Sequence, residues 1–175
     1  MLFRSGMFLS YHVPCGSQFY QPGLCYQPNY KNWAPDLRYS APLSNSLTLR
    51  QEIVPECNQM TELRVWVNAS AANPRGATRF SLVDVGRNQE LAGGSVSNAT
   101  LPAGGWYAVH FEPIPDSSGR YYLLTLTNAA PDETPGLQVA YALRQEYPAG
   151  KLFENDAPVD TDVLFQTGCL AGWSQ

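Results

Sequence analysis

Four carboxylates crowd one short stretch near the C-terminal end: Glu154, Asp156, Asp160 and Asp162. Oxygen ligands of this kind suit a hard cation such as Ca2+. On an extended strand, Asp160 and Asp162 fall two apart and share a face. Like charges there need a cation or solvent between them. Two readings follow: a structural Ca2+ site on Glu154, Asp156, Asp160 and Asp162, or a solvated acidic strand face. A carboxylate pair is also the minimum for acid–base hydrolysis, which predicts turnover that is lost in Asp160→Asn or Asp162→Asn. Nothing else in the chain supports catalysis. Its two histidines, His12 and His110, are far apart in sequence. No G-x-S-x-G or H-E-x-x-H pattern occurs. Ala92-Gly93-Gly94-Ser95 and Ala103-Gly104-Gly105 read as β-turns, because no helix follows to cradle a phosphate. The expectation is a non-enzyme without a catalytic cofactor.

The cysteines are Cys15, Cys25, Cys57 and Cys169. None forms a C-x-x-C, and no histidine lies at metal spacing, so structural zinc is disfavoured. Cys15 and Cys25 are local neighbours. Cys57 follows an early strand and Cys169 the last one. The expected bridges are Cys15–Cys25 and Cys57–Cys169, which imply an oxidising compartment. The alternative is four reduced, partly buried thiols. Two N-x-S/T sequons begin at Asn68 and Asn98.

Stacking aromatics beside polar groups suit a sugar ring. Trp66 lies off the apolar face of its strand, beside Arg64 and Asn68. The expected ligand set is Arg64, Trp66, Trp106 and Tyr121, with Trp173 a further aromatic candidate. The competing reading packs Trp66 and Trp106 beneath an aromatic arm, since large aromatics dominate contacts.

These side chains need elements to hold them. Alternating runs occur at Thr48–Val54, Thr61–Asn68, Ala77–Asp84, Glu90–Ser97, Trp106–Phe111, Arg120–Asn128, Leu137–Arg144 and Val159–Thr167. In Thr61–Asn68 the pattern sends Leu63, Val65 and Val67 inward and Arg64 and Trp66 outward. Gly/Pro/Asn turns separate the runs. Short strands so punctuated predict an all-β fold, an eight-stranded antiparallel β-sandwich or barrel. Residues 1–46 differ. Pro14, Pro22, Pro28, Pro35 and Pro42 stand among Tyr11, Tyr20, Tyr26, Tyr30, Trp33 and Tyr39 without alternation. They read as an irregular arm laid over the domain or a partner. The expected organisation is an arm at 1–46, a sandwich at 47–170 and a tail at 171–175.

Composition agrees. Charged residues make up 15% of the chain, against roughly 25% in a typical soluble domain. Net charge is −4, with 11 Lys and Arg. With no basic run, nucleic acid is an unsuitable partner. No apolar run approaches the ~20 residues of a transmembrane helix. The start, Met1–Pro14, has no proper signal-peptide core or cleavage site, so the chain reads as cytoplasmic or as a piece of a longer exported protein.

Phe111-Glu112-Pro113-Ile114-Pro115-Asp116-Ser117-Ser118-Gly119-Arg120-Tyr121-Tyr122 resembles the F-x-P-I-x-D-S-x-G-K-x-Y stretch of a bacterial sandwich domain. The segments Tyr147–Leu152, Phe153–Asp156 and Asp160–Phe165 resemble its Y-x-x-G-x-L-x-x-N-G and D-L-x-F stretches, with Asp156 where the family more often has Gly. The resemblance covers residues 47–167. It implies a jelly roll of the carbohydrate-binding-module type, met on the exoplasmic face of bacterial membrane glycosyltransferases and other envelope proteins. The implied function is a non-catalytic binding or accessory module outside the cell or in the periplasm, one that contacts glycan and reaches the membrane only through a partner or parent protein. The rival expectation is a structural subunit of a membrane complex or filament, docking other protein subunits through the sandwich and its arm.

Overall fold

The computed structural model describes residues 24–28, 37–142 and 147–170, and among 24–28 the side chain of Tyr26 alone. Twelve strands run through them: β1 (Leu24–Pro28), β2 (Arg38–Tyr39), β3 (Leu49–Ile53), β4 (Met60–Asn68), β5 (Ala77–Asp84), β6 (Gln89–Ser97), β7 (Ala103–Ile114), β8 (Tyr122–Asn128), β9 (Gln138–Tyr141), β10 (Leu152–Glu154), β11 (Ala157–Val159) and β12 (Phe165–Leu170). They form two antiparallel sheets, the expected all-β sandwich. In the first, β4 lies between β7 on one edge and β12 then β9, end to end, on the other. β1 adds to β12 and β2 to β9. The second sheet runs β11-β10-β3-β8-β5-β6.

Alternation builds the core. Leu63, Val65 and Val67 of β4 face Leu49 and Ile53 of β3, Phe80 and Leu82 of β5, and Leu124 and Leu126 of β8 in one fully buried cluster. Burying each such side chain contributes about 1.5–3 kcal/mol. One polar residue, Gln51, lies in the buried row of β3. Its Nε2 donates to Asp162 Oδ1 at 3.1 Å, and its Oε1 accepts from the Val163 N–H at 2.9 Å. Gln51 thereby fastens the chain between β11 and β12 across the interior, and a satisfied amide is tolerated there.

The strand plan differs from the expectation in three places. The arm contributes β1 and β2, which pair through backbone bonds and need no apolar alternation; Pro28 closes β1 at the outer edge of its sheet, where a missing N–H is tolerated. Ala92–Ser95 and Ala103–Gly105 are strand, not turn, lying within β6 and at the start of β7. The expected strand Val159–Thr167 is broken. Asn155 (φ 49°) and Asp156 (φ 70°) are both left-handed and close a two-residue β10–β11 hairpin, with Glu154 opposite Ala157. That is the type I′ geometry, which favours Asn first and commonly Gly second. Here Asp takes the second position, stabilised by its ion pair with Arg50.

The Cys57–Cys169 bridge is present. It joins the loop before β4 to the end of β12, with Cα atoms 6.3 Å apart. The Cys15–Cys25 pairing lies outside the described residues. A buried hydroxyl sits beside the bridge: Ser117 Oγ donates to the Cys57 carbonyl at 2.8 Å and accepts from the Met60 N–H at 3.0 Å. Ser117→Ala leaves both backbone groups buried without it, so it is expected to cost about 2 kcal/mol. Urea unfolding checks this; a midpoint within error of wild type would refute it.

Candidate functional site

Strand pairing gathers a cluster on the outer face of the first sheet. The β4–β7 register sets Glu62 opposite His110, Arg64 opposite Ala108 and Trp66 opposite Trp106. Because alternate residues share a face, Glu62, Arg64, Trp66, Trp106, Ala108 and His110 all face away from the core. The two indoles meet edge to face, with centroids 5.3 Å apart and planes at 85°. Such pairs are worth about 0.5–1.5 kcal/mol beyond area burial. Trp66 Nε1–H donates to the Tyr39 hydroxyl at 3.1 Å.

Beside the indoles lies a charged cluster. Glu62 is 1% exposed although it faces outward. One carboxylate oxygen accepts from Arg64 Nε, and the other is 3.2 Å from His110 Nδ1. Arg64 Nη2 donates to the Tyr26 hydroxyl, and the guanidinium stacks 3.9 Å from the Tyr26 ring centroid. A buried carboxylate needs such partners, because desolvation otherwise outweighs what burial gains. Burial, then the negative charge of Glu62, pushes the Tyr26 phenol up to about 12. It therefore stays a neutral donor and acceptor near neutral pH. The His110 side chain is 70% exposed, leaving the imidazole accessible at the rim. The site thus places two indoles next to an orientated Arg–Glu–His–Tyr set.

Three of the four expected ligand residues, Arg64, Trp66 and Trp106, come together here. Tyr121 does not. It precedes β8 in the second sheet, where its carbonyl accepts from the Val85 N–H. Trp173 lies outside the described residues. The packing alternative is partly realised, since Trp66 and Trp106 contact each other and Trp66 bonds Tyr39 of the arm segment. Glu62, His110, Tyr26 and Tyr39 were not in the expected set. Glu62 had a legible signal, because it shares the outward parity of Arg64 and Trp66.

The four acidic candidates for Ca2+ are not gathered. Glu154 accepts from the Tyr141 hydroxyl, Asp156 pairs with Arg50, and Asp160 is exposed. Asp162 is fully buried against Gln51. Asp160 and Asp162 therefore do not share a face, because the chain leaves the β11 strand at Val159 before reaching them. Among the described residues, no three His, Cys, Asp or Glu side chains are arranged to hold a metal ion. The sequon asparagines also separate. Asn98 is buried; its Oδ1 accepts from Thr78 Oγ1 and its Nδ2 donates to the Asn73 carbonyl. Asn68 lies at the surface end of β4, its Oδ1 accepting from the Ser70 N–H.

Among the described residues, no helix is long and apolar enough to cross a membrane. The chain is an all-β sandwich with an outward polar–aromatic cluster. No protein-family model and no curated protein matches it. Several solved structures are similar, among them these two. One is the clostridial cysteine protease Cwp84 after propeptide cleavage, at 12% identity and TM-score 0.46, covering 81% of this chain and 42% of that one. The other holds the cysteine protease and lectin-like domains of Cwp84, a surface-layer-associated protein of Clostridium difficile, at 13% identity and TM-score 0.45, covering 81% of this chain and 37% of that one. The chain thus spans about two-fifths of the length of either.

Proposed function

We propose that this chain is a non-catalytic binding module whose ligand face is the outer side of the first sheet, and that the ligand is glycan. The observation that carries the reading is the β4–β7 register, which sets two indoles beside Arg64 and His110 on one face. Sugar rings present C–H faces to aromatic planes and hydroxyls to such polar groups. Arg64 and His110 are steadied by Glu62, so they meet a ligand already orientated. The buried Cys57–Cys169 bridge supports placement in an extracellular or periplasmic setting, on the exoplasmic side of an envelope. The resemblance to carbohydrate-binding-type domains supports the same assignment.

A glycan array followed by calorimetry tests it. Trp106→Ala is expected to weaken binding at least tenfold without changing the far-UV spectrum. Trp66→Ala is expected to do the same and to lose the bond to Tyr39. No binding to any glycan, or unchanged affinity in both variants, refutes the reading. The second reading, a structural subunit docking other protein subunits, is favoured by the Trp66–Tyr39 bond, which uses one indole within the chain.

A further inference from the structure

The long strand β7 is hydrogen-bonded along one edge. The Trp66 N–H donates to Leu164 on the β12 side of β4. Backbone groups alternate along a strand, so Glu62, Arg64 and Trp66 address that side, and Leu63, Val65 and Val67 address β7. The register Leu63↔Val109 and Val65↔Tyr107 then turns Tyr107 and Val109 toward β4. Thr61 Oγ1 donating to the Phe111 carbonyl fits the same parity. The N–H and C=O of Ala108 and His110 consequently point away from the sheet. Among the described residues, β7 pairs with β4 alone.

Among the described residues, this edge carries little protection. Natural edges carry Lys, Pro or inward charges that block further pairing. Between Gly104 and Glu112, β7 has no Lys, no Pro and no inward charge, and Pro113 comes only near its end. Its core-facing row is also incompletely covered. Tyr107, Val109 and Phe111 are part-exposed, whereas Leu63, Val65 and Val67 beside them are sealed.

The strand complements itself. Laid antiparallel on a second copy about a two-fold axis through Ala108, it sets Ala108 against Ala108 and Tyr107 against Val109. Trp106 then faces His110, Gly105 faces Phe111, and Gly104 faces Glu112. Bulky side chains meet small ones, and an imidazole meets an indole. The two ionisable residues of the strand, His110 and Glu112, face neither their own copies nor each other. Like charges directly opposite destabilise a strand pair, and this register has none. A two-fold, self-complementary patch is what an isologous dimer requires.

We propose that two copies of this chain pair edge to edge through β7, centred on Ala108, continuing the first sheet across the dimer. The added strand covers Tyr107, Val109 and Phe111 and satisfies the outward backbone groups of Ala108 and His110. It also puts the two outer-face clusters on one continuous surface, so any ligand of that face meets two sites. The pairing does not depend on glycan being that ligand.

Sedimentation velocity on the full chain, from micromolar to near-millimolar protein, tests the proposal. The wild type is expected to show a concentration-dependent dimer. Ala108→Lys sets two ammonium groups together at the axis and is expected to remain monomeric throughout, with the melting temperature of the wild-type monomer. Register is read by cross-linking. Under oxidation, Ala108→Cys is expected to give a covalent dimer, because opposite Cα atoms in a hydrogen-bonded pair lie about 5.5 Å apart. His110→Cys is expected not to, because it faces Trp106. A wild type that stays monomeric, a dimer that survives Ala108→Lys, or cross-linking equal in the two cysteine variants would each overturn the proposal; the last two would point to a different face or register.

Discussion

Replacing Cys57 and Cys169 together by alanine is expected to destabilise the fold by roughly 4 kcal/mol. The bridge closes a segment with a sequence separation of 112. Cutting it returns the conformational freedom of that loop to the unfolded chain, and the entropy scales with the logarithm of loop length. Both sulfurs are buried, so the native state also loses packing. For a chain of this size the melting temperature is expected to fall by about 10 °C. Thermal unfolding of the double variant, of wild type, and of wild type with reductant measures it. The reduced wild type should melt close to the variant. Coincidence of all three curves would show that the bridge does not stabilise the fold.

The second large effect concerns Asp162. Its carboxyl is fully buried; Oδ1 accepts from Gln51 Nε2, with the Tyr147 backbone N–H also bonding the group, and Oδ2 has no partner among the described residues. Burial raises its pKa from 3.8 to about 6, against the opposing effect of those two bonds. The folded chain therefore holds this proton more tightly than the unfolded chain. Across the window from 3.8 to about 6 the unfolded chain binds fewer protons here, so stability falls as pH rises, and the loss is complete above that window. The penalty on the ionised form is about 3 kcal/mol. Asp162→Asn keeps the accepting oxygen and cannot ionise. It is expected to stabilise the protein by up to about 3 kcal/mol at pH values well above 6 and to leave it nearly unchanged near pH 3.8. Denaturant titrations of both proteins at the two extremes give the difference directly, with the other carboxylates cancelling. A gap that is the same at both extremes would contradict the assignment of the proton to Asp162.

The sandwich could be read from alternation wherever one face of a strand is sealed. Thr61–Asn68 shows this: Leu63, Val65 and Val67 point inward as their parity requires. The same parity placed Arg64 and Trp66 on one outer face, and with it most of the candidate site. What parity cannot supply is strand pairing. Tyr26 reaches Arg64 only because β1 joins β12, which joins β4. His110 reaches Glu62 only because β7 adopts that register. Tyr121 was misplaced for the same reason: an exposed aromatic next to polar residues says nothing about which sheet it ends in. The β10–β11 hairpin was missed because three-residue strands carry almost no periodicity. Its Asn155-Asp156 turn was the available signal, weakened by Asp at a position that prefers Gly. By sequence Asp162 reads as a Ca2+ ligand or as part of a solvated acidic strand face, because a charged residue is seldom fully buried. Only the reach of Gln51 from β3 makes its burial tolerable.

The position of the disulfide also decides how the molecule carries tension. β12 is antiparallel to β4, with Cys169 beside Met60 at the end nearest Leu170. A force applied at Leu170 would otherwise peel β12 from its neighbours one hydrogen bond at a time, the weakest way to load a strand. The covalent link intercepts that force one residue in and hands it to Cys57, at the stem of β4. The sheet is then pulled as a closed loop, and its ladders share the load. Reduction of this single bond would convert the sandwich from a clamp into a zipper, lowering the force it withstands from that side while leaving the strand order unchanged.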